Sequence, residues 1–163
     1  MSKEIVFTHI ERARTLYRRR GEEILFIPEM RKRLKSYDEA IENTQKRMRQ
    51  AGVVKFCGLC AAKTGSCCFK EVETWYDPVL LLINYLMGVD LPHSRELRDQ
   101  CLFLGNEGCR LRARYAFCLN YFCPSLKLEL GSVSLHAALA AVGHELAAGW
   151  ELERALSTHI FKK

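Results

Sequence analysis

No cysteine occurs in the first 56 residues or in the last 40. The chain also lacks a long hydrophobic run. Its longest unbroken aliphatic stretch, Val79-Leu80-Leu81-Leu82-Ile83, is far short of the roughly 20 residues a membrane-spanning helix needs. The opening MSKEIVFTHIERAR meets charge at once and has no apolar core like that of a secretory signal. These absences lead to the expectation of a cytoplasmic protein without a membrane segment. There is no internal repeat and no low-complexity tract, and no GxGxxG loop is available to cradle a nucleotide. A disordered chain is excluded too, because 48% of the residues are hydrophobic and the net charge is only +6. At 163 residues the chain is long enough for one domain with a substantial core.

Charge is unevenly distributed. Residues 1–50 hold 13 Lys and Arg against 8 Asp and Glu, whereas the remainder is nearly balanced at 12 against 11. The basic stretches Arg18-Arg19-Arg20 and Arg31-Lys32-Arg33 have the cations that phosphate contacts require. They lack interleaved aromatics and match no DNA-binding pattern, and base contacts rather than cations specify recognition. A solvated helix end and a wet helix face account for them, so nucleic acid is not an expected partner.

The hydrophobic pattern is mainly helical. Val6, Ile10, Ala13 and Tyr17 recur on one face of a 3.6-residue period, and Arg18-Arg19-Arg20-Gly21 reads as the end of that helix. A second helix is expected from Pro28-Glu29 to Gly52, with Met30, Leu34, Tyr37, Ile41 and Met48 in a narrow seam suited to one partner helix. Residues 57–69 read as a loop. A third helix is marked by Asp77 as N-cap, Pro78 in the first turn and Gly88 beyond the end. It is apolar nearly all round, which makes it central to the core. A short polar helix is expected over Arg95–Asp99, and 101–111 reads as a small hairpin around Gly-Asn-Glu-Gly. A long helix is expected from Ser134 to about Thr158. Leu135, Leu139, Val142, Leu146 and Trp150 occupy one side of it, and Ala137, Ala140, Ala141, Gly143 and Ala148 keep much of the rest small.

All eight cysteines fall between Cys57 and Cys123. One or two would pass as buried small hydrophobes, the common fate of free cysteine. Eight in 67 residues are too dense for that. In a reducing compartment, with a core that needs no covalent staples, clustered thiols point to metal ahead of disulfides. Cys57 and Cys60 have the two-residue spacing that turns both sulfurs toward one point. The adjacent Cys67 and Cys68 diverge in either regular conformation and need not share an ion. A tetrahedral thiolate site takes four sulfurs, as does a cubane cluster, so eight cysteines fill two sites, or one site with four thiols to spare. No zinc knuckle is recognisable, because Ala61 stands where a glycine usually follows the second cysteine. Cys123-Pro124 is shared with bacterial ferredoxin runs.

The residues CGLC and CC at 57–68, CLFLGNEGCRL at 101–111 and RYAFC at 114–118 resemble the CxxCxxCC (YkgJ-type) family of zinc- or iron-chelating proteins. Cys57, Cys60, Cys67, Cys68, Cys101, Cys109 and Cys118 fall on the family pattern, and Cys123 completes the eight. The resemblance covers about residues 55–124. It departs from the pattern in the six residues between Cys60 and Cys67 and in Tyr115, where the family has proline. The resemblance implies metal chelation. Some relatives are labelled flagellin lysine N-methylases with an iron–sulfur cluster, a reading that nothing else in this chain supports.

Other motifs carry less. His144-Glu145 begins HExxH, but Ala148 replaces the second histidine, so the zincin pattern fails. His136 and His144 lie about 80° apart around a helix and read as ordinary helix residues. His93, near Cys101 in sequence, is the histidine best placed to join a metal. A cysteine activated by Arg110, Arg112 or Arg114 would make a redox thiol.

The expectation is therefore a mainly α protein, one helical domain over 1–163 around an irregular cysteine-rich metal-binding centre with a small β-hairpin. Basic helices fill 1–52, the metal-binding region 55–124 and a C-terminal helix 132–160. The metal is an iron–sulfur cluster in preference to zinc, since Phe56, Phe69, Phe103, Phe117 and Phe122 would shield a cluster from water. The role is a redox or electron-transfer accessory to a protein partner, with enzymatic activity left undecided and disfavoured. The alternative is a structural zinc module that docks through the Met30–Met48 seam, a surface that also suits a homodimer.

Overall fold

The computed structural model describes residues 2–64 and 66–161. Met1, in the basic N-terminal region, and Gly65, in the cysteine segment, lie outside the described residues, as do Lys162 and Lys163. The fold is mainly α, 74% helical, with one small antiparallel hairpin. Its helices are α1 (Ser2–Phe26), α2 (Pro28–Gln50), α3 (Val53–Thr64), α4 (Pro78–Leu86), α5 (Ala116–Asn120) and α6 (Pro124–Phe161). A 3-10 turn covers Lys70–Trp75, and the hairpin pairs β1 (Leu104–Gly105) with β2 (Gly108–Cys109).

Helix α4 is the centre of the molecule, and every residue from Val79 to Leu86 is buried. The Asp77 carboxylate accepts from the N–H groups of Val79 and Leu80 at 2.8 and 2.9 Å, and Gly88 takes a left-handed conformation (φ 78°) beyond the end. Helix α1 packs on it through Val6, Ile10, Ala13 and Ile24, and the Tyr17 ring stacks on Tyr85 at 5.6 Å.

Helix α1 does not stop at Gly21. The residue lies on the buried stripe and faces the Tyr17 ring, where a Cβ would come within 2.7 Å of a ring carbon. Gly21 serves close packing rather than a cap, and Ile24 carries the stripe one turn further. Arg20 reaches across to the carbonyls of His159 and Ile160 at 3.3 and 3.4 Å, satisfying acceptors that the end of α6 leaves open.

The α2 seam is covered by the chain itself. Met30, Leu34, Tyr37 and Ile41 are buried, and α2 runs along α6 in the most extensive helix contact of the fold. This removes the seam as the expected docking or dimer surface. The face that α6 presents also differs from expectation. Ala138, Ala141, Val142, Glu145, Gly149, Leu152 and Leu156 are buried, whereas Leu139 is 37% and Trp150 62% exposed. Small residues won because they let the helix axes approach: Tyr37 lies against Gly149, where a Cβ would be 2.9 Å from Cζ. Thr44 donates to the Ala141 carbonyl at 3.2 Å across the same contact.

Helix α6 begins ten residues before the expected Ser134, with a non-helical break at Gly131 (φ 66°). By length and composition it is apolar enough to cross a membrane, against the expectation from the short aliphatic run. Its packing against α2 is compatible with a soluble protein.

Two further expectations are corrected nearer the cysteines. Cys57 and Cys60 lie on a helix rather than in a loop. Gly52 (φ 79°) turns the chain out of α2, and the good helix formers around Cys60 continue it as α3. Residues 95–99 form turns rather than a polar helix, because their side chains are committed elsewhere. Arg95 pairs with Glu73 and donates to the Gln100 carbonyl, while Glu96 accepts the Asn106 N–H at 2.8 Å.

Candidate metal centre

Helix α3, the 66–69 stretch, α5 and the start of α6 meet at one end of the molecule. They enclose a cavity of about 180 Å3 walled by Cys57, Cys60, Cys67, Cys68, Cys118 and Cys123. The i, i+3 spacing in α3 places Cys57 and Cys60 on one helix face. The rest of the wall is apolar or uncharged: Phe56, Ala61, Val72, Phe117, Tyr121 and Leu126, with Ser66. No acidic or basic side chain among the described residues lines it. Cys57 and Cys67 are exposed, and the other four thiols are half-buried. None of the described cysteines forms a disulfide.

The remaining two cysteines stand behind the cavity. Cys101 is buried in the main core, and Cys109 sits opposite Leu104 in the hairpin. Two buried polar residues, unmarked by any motif, hold this region. Glu73, 1% exposed, accepts two bonds from Arg95 and one from the Leu102 N–H at 2.8 Å. Asn84 of α4 uses its whole amide. It donates to the carbonyls of Leu80 and Ala113 at 3.1 and 2.9 Å and accepts from the N–H groups of Arg112 and Ala113 at 2.8 and 3.0 Å. A core asparagine thereby sets the path of the chain from Cys109 to Cys118.

Of the five phenylalanines expected around the site, only Phe56 and Phe117 line the cavity. Phe117 lines the cavity and packs edge-on against Trp75 at 5.1 Å and Phe69 at 6.0 Å, and it stacks on Tyr121 at 4.9 Å. Phe56 also lines it. Phe103 instead packs on Tyr76 at 4.9 Å, and Phe122 joins a second apolar cluster with Leu126, Leu130 and Ala138. Tyr76 links core and site, since its hydroxyl donates to Cys118 Sγ at 3.4 Å and accepts the Tyr115 N–H at 3.0 Å. The histidines stand away from the cavity. His93 contacts the Arg14 guanidinium, and His136 and His144 are exposed on α6.

Electrostatics work against a reactive thiol. Burial pushes Cys101 up to about 12 and Cys109 to about 11, although Cys109 as a whole residue is exposed. Burial also raises Cys57, Cys67 and Cys118. Arg114 lowers Cys109 and Cys118, but less than burial raises them. Arg112 is engaged by Asp38 and Glu42, and Arg110 by Glu96. At Cys109 and Cys118, therefore, burial outweighs the neighbouring arginine.

A set of sulfur donors in an apolar wall suits a thiophilic load. As they stand, no three Cys, His, Asp or Glu side chains among the described residues are close enough to share one ion. The thiols border a space instead of meeting at a point. No family model, curated protein or solved structure matches the chain.

Proposed function

We propose that this chain is a metal-binding protein of the CxxCxxCC type. In this reading it holds an iron–sulfur cluster in its cysteine cavity and serves a cytoplasmic protein partner in electron transfer or redox sensing. The observation that carries the reading is the combination of six thiols with a space of about 180 Å3. Zinc would draw four sulfurs tightly around itself at about 2.3 Å, and a cluster is ligated by thiolates spread around a larger inorganic core.

The chain's own residues would do three things. Cysteines on α3, the 66–69 stretch, α5 and the start of α6 would hold the load. The apolar wall of Phe56, Val72, Phe117, Tyr121 and Leu126 would limit water, which tunes a cluster's potential. The exposed Cys57 and Cys67 mark the side nearest a partner. A bound cluster would supply one-electron transfer.

The test is metal and sulfide analysis of anaerobically purified protein with a visible spectrum of the same sample. Iron with sulfide and a brown colour that bleaches in air is the expected result. Stoichiometric zinc without colour would overturn the redox reading and make the cysteines a clamp between α3, the hairpin and α5.

A further inference from the structure

We propose that the eight cysteines divide into two four-thiol sites, an outer one of Cys57, Cys60, Cys67 and Cys123 and an inner one of Cys68, Cys101, Cys109 and Cys118. The proposal rests on the metal-binding reading and deepens it by assigning each thiol to a site.

Apolar packing sorts the cysteines first. Cys101 belongs to the main core, and Cys68 and Cys118 pack against it. Cys123 packs against the second cluster, together with Val53 and Phe56 of α3, the helix that carries Cys57 and Cys60. Cys67 and Cys68 divide at the boundary. Cys67 is exposed, while the half-buried Cys68 is tied inward, its carbonyl accepting the Cys101 N–H at 2.9 Å beside the Phe69–Gln100 bridge. In this partition one peptide bond separates ligands of different sites.

The inner set is then closed by the hairpin and Tyr76. Cys101 precedes the hairpin and Cys109 ends its second strand, next to Arg110, whose N–H donates to the Phe103 carbonyl at 2.8 Å. The Tyr76 ring packs on Phe103 while its hydroxyl holds Cys118. Across the hairpin Cys109 pairs with Leu104, which packs against the same main core as Cys68 and Cys118.

One backbone donor marks the outer set: the sulfur of Cys123 accepts from the N–H of Leu126 at 3.4 Å. Cys68 and Cys118 also face the cavity, so they form the wall between the two sites.

The probe is cobalt(II) alone, titrated anaerobically into the metal-free, reduced full chain. Thiolate-to-cobalt absorbance should rise to two equivalents per chain. Alkylation mapped by peptide mass at one equivalent should find one complete set of four cysteines protected and the other set labelled. Cys57→Ser/Cys60→Ser and Cys101→Ser/Cys109→Ser should each halve the uptake, with helical circular dichroism confirming the fold. A single break at one equivalent, or protection that mixes the two sets, overturns the partition. If a double variant fails to fold, the alkylation map of the unaltered chain decides. Native zinc in place of iron and sulfide would sink the redox reading and leave the cobalt result intact, whereas no cobalt uptake would sink both.

Discussion

The helical scaffold and the cysteine-bearing end are built on opposite principles. In the scaffold, α1, α2, α4 and the shaft of α6 bury continuous stripes, and Gly21 and Gly149 let aromatic rings approach the backbone closely. The cysteine end has short elements, exposed apolar side chains at Leu59, Phe69 and Tyr121, and a space that the protein's own atoms leave open. Its order comes from two buried polar anchors, Glu73 and Asn84. The contrast teaches that one region is held by continuous packing, while the other is held by a few polar anchors around an open space. In the proposed metal-binding reading, a bound ion or cluster would add folding energy at that end.

The largest test removes an anchor. Glu73→Ala leaves the Arg95 guanidinium and the Leu102 N–H without their partner, a change that costs about 3–5 kcal/mol when a buried pair is broken. Hydrogen exchange should quicken across 95–112 while α1 and α4 stay protected. Equal loss of protection in α4 would break the comparison, because the two regions would then unfold as one unit.

A smaller effect is expected inside the scaffold. Gly149→Leu forces a side chain against the Tyr37 ring, and overpacking of this kind costs about 1–3 kcal/mol. The urea midpoint should fall with cobalt stoichiometry unchanged. A change in stoichiometry would show that α6 packing reaches the cysteines.

The smallest is a gain. Burial, then the charge of Asp77, raises the Glu153 carboxyl from 4.5 to about 7. The folded state therefore holds this proton more tightly than the unfolded state. Stability falls as pH rises from about 4.5 to 7 and levels off above. Glu153→Gln should remove that slope and add about 1–2 kcal/mol at pH 8, the linkage value of about 3 kcal/mol being cut by the carboxyl's partial exposure to solvent, read as urea midpoints at pH 5 and pH 8. An unchanged slope would assign the pH dependence to other groups.

Much of the scaffold was legible in the sequence because its signals are local. Asp77, Pro78 and Gly88 bracket α4, the Val6–Tyr17 period marks α1, and Gly-Asn-Glu-Gly marks the hairpin. Gly21 was misread because a packing glycine and a capping glycine look alike without the ring opposite. The working face of α6 was misread because large residues attract attention, while close approach selects small ones. At the site, density alone singled out the eight cysteines. Which of them wall one cavity depends on contacts such as Cys68 to Cys101, which no spacing encodes. Glu73 and Asn84 carry no motif, and their importance exists only once the segments they bridge are folded.

The break at Gly131 has a mechanical meaning. The arm 124–130 is about 10 Å long at 1.5 Å per residue, and Cys123 stands at its far end. With Gly52, the other left-handed glycine bordering the second apolar cluster, it forms a pair of pivots around α3 and this arm. A torsional adjustment of about 10° at Gly131 displaces the tip of a lever that long by about 2 Å while the α6 shaft keeps its seat on α2. The segments that border the mouth of the cavity are thus joined to the scaffold through two residues that carry no side chain.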